Sequence, residues 1–278
     1  MKKSTIGAIV GGVAAAAAAV AAPLLVKNSK KLSVSRLKFH SDKVYGALSG
    51  YRIVHVADLH NNQIGRHNAL LLAQIAVEEP DRIAITGDLL DSYHPDLQTA
   101  LDFVSEAVKI APCDFVLGNH ELRLEPDALH AFLQALRQRG VQVLRNEAAH
   151  IYVGEEQFRL LGVDCQEGKT DTLRALMQAR PAGELNILLS HKPHYAEHYR
   201  QAGVDLVLCG HAHGGQFRLP AVGGLYAPGQ GILPKYTAGM YELGKTRMAV
   251  SRGLGNSSFP VRLGNTPELQ VITLMPKK

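Results

Sequence analysis

The sequence has few cysteines, and they are far apart. The 278-residue chain contains three, Cys113, Cys165 and Cys209, which are too few and too dispersed for a disulfide framework or a thiolate zinc site. Each lies in or beside an apolar run, a setting typical of small buried side chains with unreactive thiols. We therefore expect all three to be core residues.

Acidic residues are missing from the first 40 positions. This stretch carries seven Lys and Arg residues, whereas the whole chain has 30 basic and 25 acidic residues and a formal net charge of +5. The rest of the chain therefore holds 23 basic against 25 acidic residues, a net charge of −2. A protein that binds nucleic acid through charge needs a basic surface, so we expect no nucleic-acid partner.

Charge of either sign is absent from residues 6–26. At about 1.5 Å per residue, a helix of this length crosses a bilayer core of about 30 Å. The stretch is mostly Ala and Gly, and a small-x-small pattern at residues 19–21 follows two N-terminal lysines, as in secretory signal peptides. The sequence predicts a leader over residues 1–40, with a basic flank, that is either a cleaved signal or a membrane anchor.

The two ends of this leader give opposing signals for its orientation. Lys2 and Lys3 favour an N-terminus in the cytoplasm, whereas three lysines within residues 27–31 place at least as much positive charge on the other side. We expect a membrane-anchored or secreted protein whose globular part, residues 41–278, lies outside the cytoplasm.

No long linker, repeat or low-complexity tract follows the leader. Hydrophobic residues make up 46% and charged residues 20% of the chain, as in ordinary globular proteins. The roughly 240 residues after the leader suffice for one domain with a substantial core. We therefore predict a single globular domain.

Strand and helix patterns alternate in the first half of this domain. Three strand-like runs, each followed by a stretch with helical apolar spacing, give segments at residues 51–58, 68–79, 82–87, 96–109, 114–118 and 126–139. Such a βαβαβα series predicts a parallel sheet covered by helices, with functional loops at the carboxyl ends of its strands.

The chain then changes to short strands joined by turns. In this interpretation residues 141–144, 151–153 and 158–163 form hairpins that build a second sheet. Further strand-like runs occupy residues 186–190, 204–209, 240–243, 247–251 and 269–274. The predicted fold class is α/β, with two mixed β-sheets in one domain.

Polar side chains gather at the carboxyl ends of five predicted strands. They are Asp58, His60, Asp88, Asn119, His120, His191, His211 and His213. A buried parallel strand needs only apolar residues, and the carboxyl ends of a sheet form the crevice in which α/β proteins bind ligands. We therefore expect these side chains to meet at one edge.

Carboxylate, imidazole and amide groups in this mixture suit a hard-to-borderline divalent cation, whereas a thiolate site would need cysteines that are absent here. Two cations about 3.5 to 4 Å apart need a shared carboxylate, and an Asp alone at a strand end suits that position. The residues therefore predict a metal-dependent site.

The whole set resembles the signature of the calcineurin-like metallophosphoesterases in order and residue type. It consists of Asp58-x-His60, Gly87-Asp88, Gly118-Asn119-His120-Glu121, His191 and Gly210-His211-x-His213. The runs that end at Gln216 and Asn256 resemble the bacterial branch, whose members often carry an N-terminal signal or membrane anchor.

This resemblance implies a four-layer αββα fold, a β-sandwich flanked by helices, around two divalent metal ions. It places Asp58, His60 and His213 on one metal, with Asp88 bridging to the second. On that second metal it places Asn119, His191 and His211. His120 is then an acid outside the ligand set that contacts the substrate phosphate or the leaving oxygen. Mn, Fe, Zn and Co all accept such ligands, so the metal stays open.

The implied reaction is hydrolysis of a phosphoester by a metal-bridging hydroxide. The related purple acid phosphatases, mostly monoesterases, carry a Tyr soon after the bridging Asp, where this chain has Leu89, Leu90 and Asp91. Their first motif also lacks the His that is present here as His60. Both differences favour a phosphodiester or pyrophosphate substrate, and the leader extends the expectation to a membrane-lipid or cell-envelope substrate.

Two other functions are compatible with this fold. A non-catalytic scaffold of the same fold that binds a protein partner would normally have lost ligands, and all seven are present. The net charge of −2 on the chain after residue 40 argues against a nuclease.

Three other segments carry less specific patterns. Arg252 either reaches a phosphate oxygen or forms a surface salt bridge. His194 fits no ligand spacing, and residues 228–231 are predicted to form a loop beside the cleft.

Overall fold

The computed structural model describes residues 31–166, 171–256 and 261–277. The apolar part of the predicted leader lies outside these residues. Within the part of the chain that is described, no helix has the length and apolar character needed to cross a membrane.

Two mixed six-stranded sheets form the centre of the molecule, as the sequence predicts. The first sheet has the strand order β1-β16-β2-β3-β4-β5. Its strands are β1 (Ser33–Ser41), β2 (Arg52–Val56), β3 (Arg82–Ile85), β4 (Cys113–Phe115), β5 (Gln142–Val143) and β16 (Glu268–Pro276). All neighbours in it are parallel except the antiparallel pair of β16 and β2.

The second sheet has the order β14-β15-β9-β8-β7-β6. Its strands are β6 (Glu147–Val153), β7 (Glu156–Gly162), β8 (Asn186–Leu189), β9 (Leu206–Cys209), β14 (Gly239–Leu243) and β15 (Thr246–Val250). Strands β7, β8, β9 and β15 are mutually parallel, and a hairpin partner closes each side of the sheet.

Five α-helices and two short hairpins lie outside these sheets in the described residues, together with short 3-10 turns. The helices are α1 (Ala69–Val77), α2 (Leu97–Ile110), α3 (Pro126–Gln138), α4 (Asp171–Gln178) and α5 (Ala196–Ala202). The short hairpins pair β10 (Arg218–Leu219) with β11 (Gly223–Gly224), and β12 (Tyr226–Ala227) with β13 (Gly231–Ile232).

Three apolar layers show that the sheets pack face to face between helices. Because side chains alternate along a strand, β2 sends Val54 towards helices α1 to α3 and Ile53 towards the second sheet. In the second sheet, Ile187 faces the layer between the sheets and Leu188 faces the layer that contains α4 and α5. The predicted four-layer αββα arrangement is confirmed.

The assignment of residues 141–144 to the second sheet was wrong. β5 pairs in parallel with β4, with Phe115 opposite Val143, and therefore belongs to the first sheet. Helix α3 connects the two strands, as in the crossover that joins parallel neighbours. The second sheet begins with the hairpin of β6 and β7.

β1 crosses the predicted boundary of the leader at residue 40, and all but its last residue lie before that boundary. Its nine residues pair in parallel with β16, from Ser33 opposite Glu268 to Ser41 opposite Pro276. The sheet therefore begins before the predicted boundary at residue 40. A chain cut at that boundary would lose an edge strand and expose the backbone of β16.

The cysteines are all free and buried, as predicted. Burial raises the pKa of the Cys113 and Cys165 thiols to about 12, so neither is ionised at neutral pH. A buried neutral thiol behaves as a small apolar side chain.

Candidate metal centre

All eight predicted site residues meet at one edge of the two sheets. Each follows the carboxyl end of β2, β3, β4, β8 or β9. The first sheet contributes Asp58, His60, Asp88, Asn119 and His120, and the second contributes His191, His211 and His213. Both carboxylates and all the imidazoles in this set are buried, so their charges and lone pairs need partners within the protein or a bound ion.

Asp58, His60 and His213 form the first group of potential metal ligands. One ligand atom from each lies within 4.8 Å of the other two. The Nε2 atoms of His60 and His213 are 3.3 Å apart. The backbone N–H of His211 donates to both oxygens of Asp58, at 2.9 and 3.0 Å, and so orients this carboxylate.

Asp88, His191 and His211 form the second group, again within 4.8 Å. His211 Nδ1 lies 3.0 Å from His191 Nε2, and Asn119 Oδ1 lies 3.1 Å from that same Nε2 atom. On its other side, His191 Nδ1 donates to the carbonyl of Thr86 at 2.8 Å. This hydrogen bond fixes the ring so that Nε2 faces the group, as in many metal-binding histidines.

The Asp88 carboxylate lies between the two groups. Its Oδ2 is 3.1 Å from His191 Nε2 and 3.7 Å from His60 Nε2. Its Oδ1 accepts the backbone N–H of His120 at 2.8 Å. A carboxylate that reaches both sets of imidazoles has the position required of a bridging ligand.

Three of the imidazoles are neutral in this environment. Burial lowers the pKa of His60 to about 4, and burial also holds the pKa values of His211 and His213 well below the usual range. Neutral imidazoles offer lone pairs to a metal, whereas imidazolium ions cannot.

His191 and Asp58 show that the site favours a positive charge. Burial alone would lower the pKa of His191, but Asp88 and Asp58 outweigh it and raise that pKa to about 9. Burial raises the pKa of Asp58 to about 7, against the opposing effect of His191. A divalent cation supplies the charge that protons otherwise provide beside buried carboxylates. The donor set therefore fits metal ions, and the ligand assignment stays a prediction.

His120 belongs to neither of these two groups, although it forms a third set of possible ligands with His60 and Asp91. The Ser92 backbone N–H donates to His120 Nδ1 at 2.9 Å, and the Ser92 hydroxyl is 3.0 Å from the same atom. Since Nδ1 accepts, the proton of the neutral ring is on Nε2. Burial lowers the pKa of His120, which further favours the neutral ring, so the geometry supports a hydrogen-bond donor more than a charged acid.

Glu121 follows His120 in the sequence motif, and the motif alone indicates no role for it. Its buried carboxylate accepts backbone N–H groups from Asp88 and Gly118, both at 2.8 Å, and from Leu90 at 3.1 Å. These bonds join the loop after β3 to the loop after β4. Glu121 thus holds the backbone that presents Asp88 and Asn119.

Five of the seven predicted ligands have a positive φ angle. They are Asp58 (51°), His60 (47°), Asp88 (50°), His211 (65°) and His213 (45°). Residues other than glycine rarely adopt this left-handed region, at a cost of about 1 to 2 kcal/mol each. Such strain is concentrated at functional sites.

The glycines of the motifs permit this close approach of loops. A Cβ on Gly87, whose φ is +85°, would overlap the backbone of Gly118, and a Cβ on Gly118 would overlap the Asp88 carboxylate. Only glycine fits at these two positions.

A cavity of about 400 Å³ opens beside the two groups. Its lining includes Arg123 and Lys192, which carry positive charge, and His194, which the sequence analysis did not connect with the site. The predicted cleft-side loop also lines it, through Pro228 and Gly229. A Cβ on Gly229 would overlap the His194 ring, so the loop packs directly on that histidine.

Arg252 forms a structural salt bridge. Its Nε lies 3.2 Å from Glu268 Oε1, and its NH2 group donates to the Ser33 hydroxyl at 2.8 Å. Of the two alternatives from the sequence, the ion pair is the one that the structure shows.

Comparisons with known proteins agree with the geometry. A family model for calcineurin-like phosphoesterases matches residues 51–215. The chain is 31% identical over 249 residues to Phosphodiesterase YaeI of Escherichia coli (strain K12), covering 86% of each protein. It is 27% identical over 267 residues to a Danio rerio transmembrane protein with metallophosphoesterase domain, covering 90% of this chain and 59% of that protein.

Among solved structures, TT1561 of Thermus thermophilus is similar with a TM-score of 0.47 and 13% identity, covering 74% of this chain and 90% of that chain. The family model spans more than half of the sequence, and its match includes every predicted ligand from Asp58 to His213. The chain therefore belongs to the calcineurin-like phosphoesterase family.

Proposed function

We propose that this protein is a dinuclear metal-dependent phosphodiesterase or pyrophosphatase. The observation that carries the proposal is the position of Asp88, whose Oδ2 faces His191 at 3.1 Å and His60 at 3.7 Å. The carboxylate thereby connects two separate groups of buried ligands. One cation would use one group only, whereas two cations sharing Asp88 use both.

Two bound cations would supply a hydroxide nucleophile at neutral pH and offset the charge of the phosphate. The chain's own contribution is to hold the donors in place before a substrate arrives. Thr86 orients His191, the His211 backbone orients Asp58, and Glu121 holds the loop that presents Asp88. Preorganised donors cost no reorganisation during the reaction.

His120 donates a hydrogen bond to the substrate in this proposal. Its Nδ1 accepts from Ser92, its Nε2 therefore carries the proton, and its ring lines the cavity beside Asn119 and Asp88. A donor at this position stabilises charge that develops on a phosphate oxygen or on the leaving oxygen.

Diester preference rests on the motif and on one relative. Leu89 and Leu90 follow the bridging Asp88 where monoesterases of the purple acid phosphatase type carry a Tyr. The Escherichia coli relative is named a phosphodiesterase. Arg123 and Lys192 line the cavity, and these cations would balance the charge of a substrate beyond its scissile phosphate.

The proposed substrate is a lipid or cell-envelope phosphoester, and the proposed location is the membrane or the space outside the cytoplasm. The support is the uncharged stretch at residues 6–26 of the sequence. Protease added to intact cells that make the tagged full-length chain tests this location. Digestion of the domain is the expected result, and complete protection would contradict it.

The enzyme assay compares bis-(p-nitrophenyl) phosphate with p-nitrophenyl phosphate, using the full-length chain after chelation and after loading with Mn²⁺. We expect metal-dependent turnover that favours the diester. His130→Ala is a matched control because His130 is exposed on α3, away from both groups. Loaded protein that hydrolyses neither ester would instead favour the non-catalytic scaffold that binds a protein partner.

A further inference from the structure

The two short hairpins after β9 expose several large apolar side chains. Ile232 is 82% exposed and Leu233 is 63% exposed, both at the end of the second hairpin. In the first hairpin, Leu219 and Val222 are each more than half exposed. Single exposed apolar residues are common, but a group on neighbouring turns marks a surface that is covered in use.

The charge of this segment has one sign. Residues 206–241 contain no Asp or Glu. Lys235, just after the second hairpin, is exposed, whereas Arg218 is half-buried and donates to the Gly214 carbonyl at 2.7 Å. Apolar tips with an exposed lysine beside them and no acidic side chain complement a surface that is apolar below and anionic at its boundary, which is the character of a bilayer with acidic lipids.

The hairpins are attached directly to the metal centre. Gly215, two residues after His213, accepts the backbone N–H of Leu225 at 3.0 Å, and Leu225 in turn accepts that of Leu233 at 2.9 Å. Tyr226 of the second hairpin lines the cavity beside the ligands. The second hairpin therefore lies beside the cavity, through Tyr226, Pro228 and Gly229.

The chain also enters the fold on this side. Ser33, at the start of β1, pairs with Glu268, whose backbone N–H donates to the Gly253 carbonyl at 3.0 Å. A Cβ on Gly253 would lie 2.9 Å from the Asp58 Cβ. Residues 1–30, with the uncharged stretch, therefore connect to the domain at the edge that carries the metal centre.

We propose that the hairpin tips, Leu219, Val222, Ile232 and Leu233, insert into the surface of a lipid bilayer. The cavity then faces the headgroup layer. Both the point of chain entry and the charge of the hairpins favour this occupant. Membrane docking needs no catalysis, so it can be tested independently of the proposed phosphodiesterase activity.

A fluorophore placed at one hairpin tip tests the insertion. The three native cysteines are buried, so Ile232→Cys in the full-length chain takes an environment-sensitive label selectively. The labelled protein is mixed with vesicles of phosphatidylcholine and phosphatidylglycerol that carry a nitroxide on the headgroup. Insertion of about 5 to 10 Å predicts a blue-shifted emission that the headgroup nitroxide quenches.

Tyr152→Cys is the matched control. Tyr152 is 74% exposed on β6, the outer strand of the second sheet, and lies outside the hairpins. We expect the emission wavelength and intensity of a label at this position to stay unchanged when the same vesicles are added. Equal quenching at positions 232 and 152, or none at 232, overturns the proposal.

Two further measurements make the result specific. A blue shift at position 232 that rises with protein concentration in the absence of lipid would show that a second copy of the chain covers the tips, and would also overturn the proposal. Diester hydrolysis by the labelled protein reports independently whether the metal centre is intact. Quenching without hydrolysis would retain the docking surface and reject the proposed activity.

Discussion

The metal centre and the hairpin tips beside it differ in nearly every physical property, although the hairpins follow directly after the ligands His211 and His213 in the chain. The centre is buried and polar, and its backbone is strained at five ligands. The tips are exposed and apolar, with Ile232 the most exposed of the large hydrophobic side chains described. The centre buries charged side chains and the tips expose apolar ones, and folding alone favours neither arrangement.

This difference indicates what kind of partner each region binds. Buried carboxylates beside neutral imidazoles lack positive charge, so their free energy falls when a cation binds. Exposed apolar side chains remain in contact with water, so their free energy falls when an apolar surface covers them. The centre thus points to an ion and the tips to a lipid, and changes in the two regions should have separable effects.

The largest effect should follow from Asp88→Asn. The amide keeps the shape of the side chain but removes the charge that faces both groups. We expect metal content and hydrolysis of the soluble diester to fall together, by more than about 100-fold in rate. Metal analysis and steady-state kinetics measure this, with His130→Ala alongside. A variant that keeps both metals and full activity would remove Asp88 from its proposed position.

His120→Ala should separate binding of metal from catalysis. Because His120 is outside both groups, the variant should keep its metal while kcat falls about 100- to 10,000-fold. Metal content measured on the same sample used for kinetics makes the two readouts comparable. An unchanged kcat would show that His120 does not contact the reacting phosphate.

Glu121→Gln should have an intermediate effect through the backbone. A glutamine offers one acceptor oxygen where the carboxylate now serves three N–H groups, so at least one buried donor loses its partner, at about 1 to 3 kcal/mol. We expect weaker metal binding by roughly 10-fold. Since this residue positions Asp88, excess metal should restore kcat. If excess metal leaves kcat low, Glu121 acts on the substrate instead.

The smallest signal should come from the native thiols. Burial raises the pKa of Cys113 and Cys165 to about 12, and all three cysteines are buried. The folded chain should show no measurable reaction with a thiol reagent at neutral pH, and three thiols should react in denaturant. Rapid reaction of the folded chain would contradict the packing around β4 and β9, and would also remove the basis for selective labelling at Ile232→Cys.

The sequence predicts the central strands and the site edge well because both depend on strong local patterns. A run such as residues 82–87 is β-branched and apolar and ends in Gly87-Asp88. β1 has a different pattern, since exposed Arg36 and Lys38 alternate with half-buried Leu37 and buried Phe39. This alternation is typical of an edge strand, but the basic residues resemble those of the leader, and the sequence pattern therefore assigns the strand to it.

Short elements and backbone contacts account for the other differences. β5 has two residues, and α4 and α5 have eight and seven, too few for a clear periodicity. The role of Glu121 depends on three backbone N–H groups, which no residue pattern reveals. His194 lines the cavity because its ring lies 5.7 Å from that of His211 and the loop at Gly229 packs against it, and both contacts come from other parts of the chain.

The division of the ligands between the sheets has a consequence for stability. In each group one member or more comes from the first sheet and the rest from the second; in the first group His60 and His213 are separated by 153 positions. A cation in either group therefore cross-links two layers of a chain whose cysteines are all free. By the chain-entropy argument used for disulfides, closing a loop of this size lowers the conformational entropy of the unfolded chain and so adds about 4 to 5 kcal/mol to the free energy of unfolding. Loss of the metal would then lower the free energy of unfolding as well as the activity.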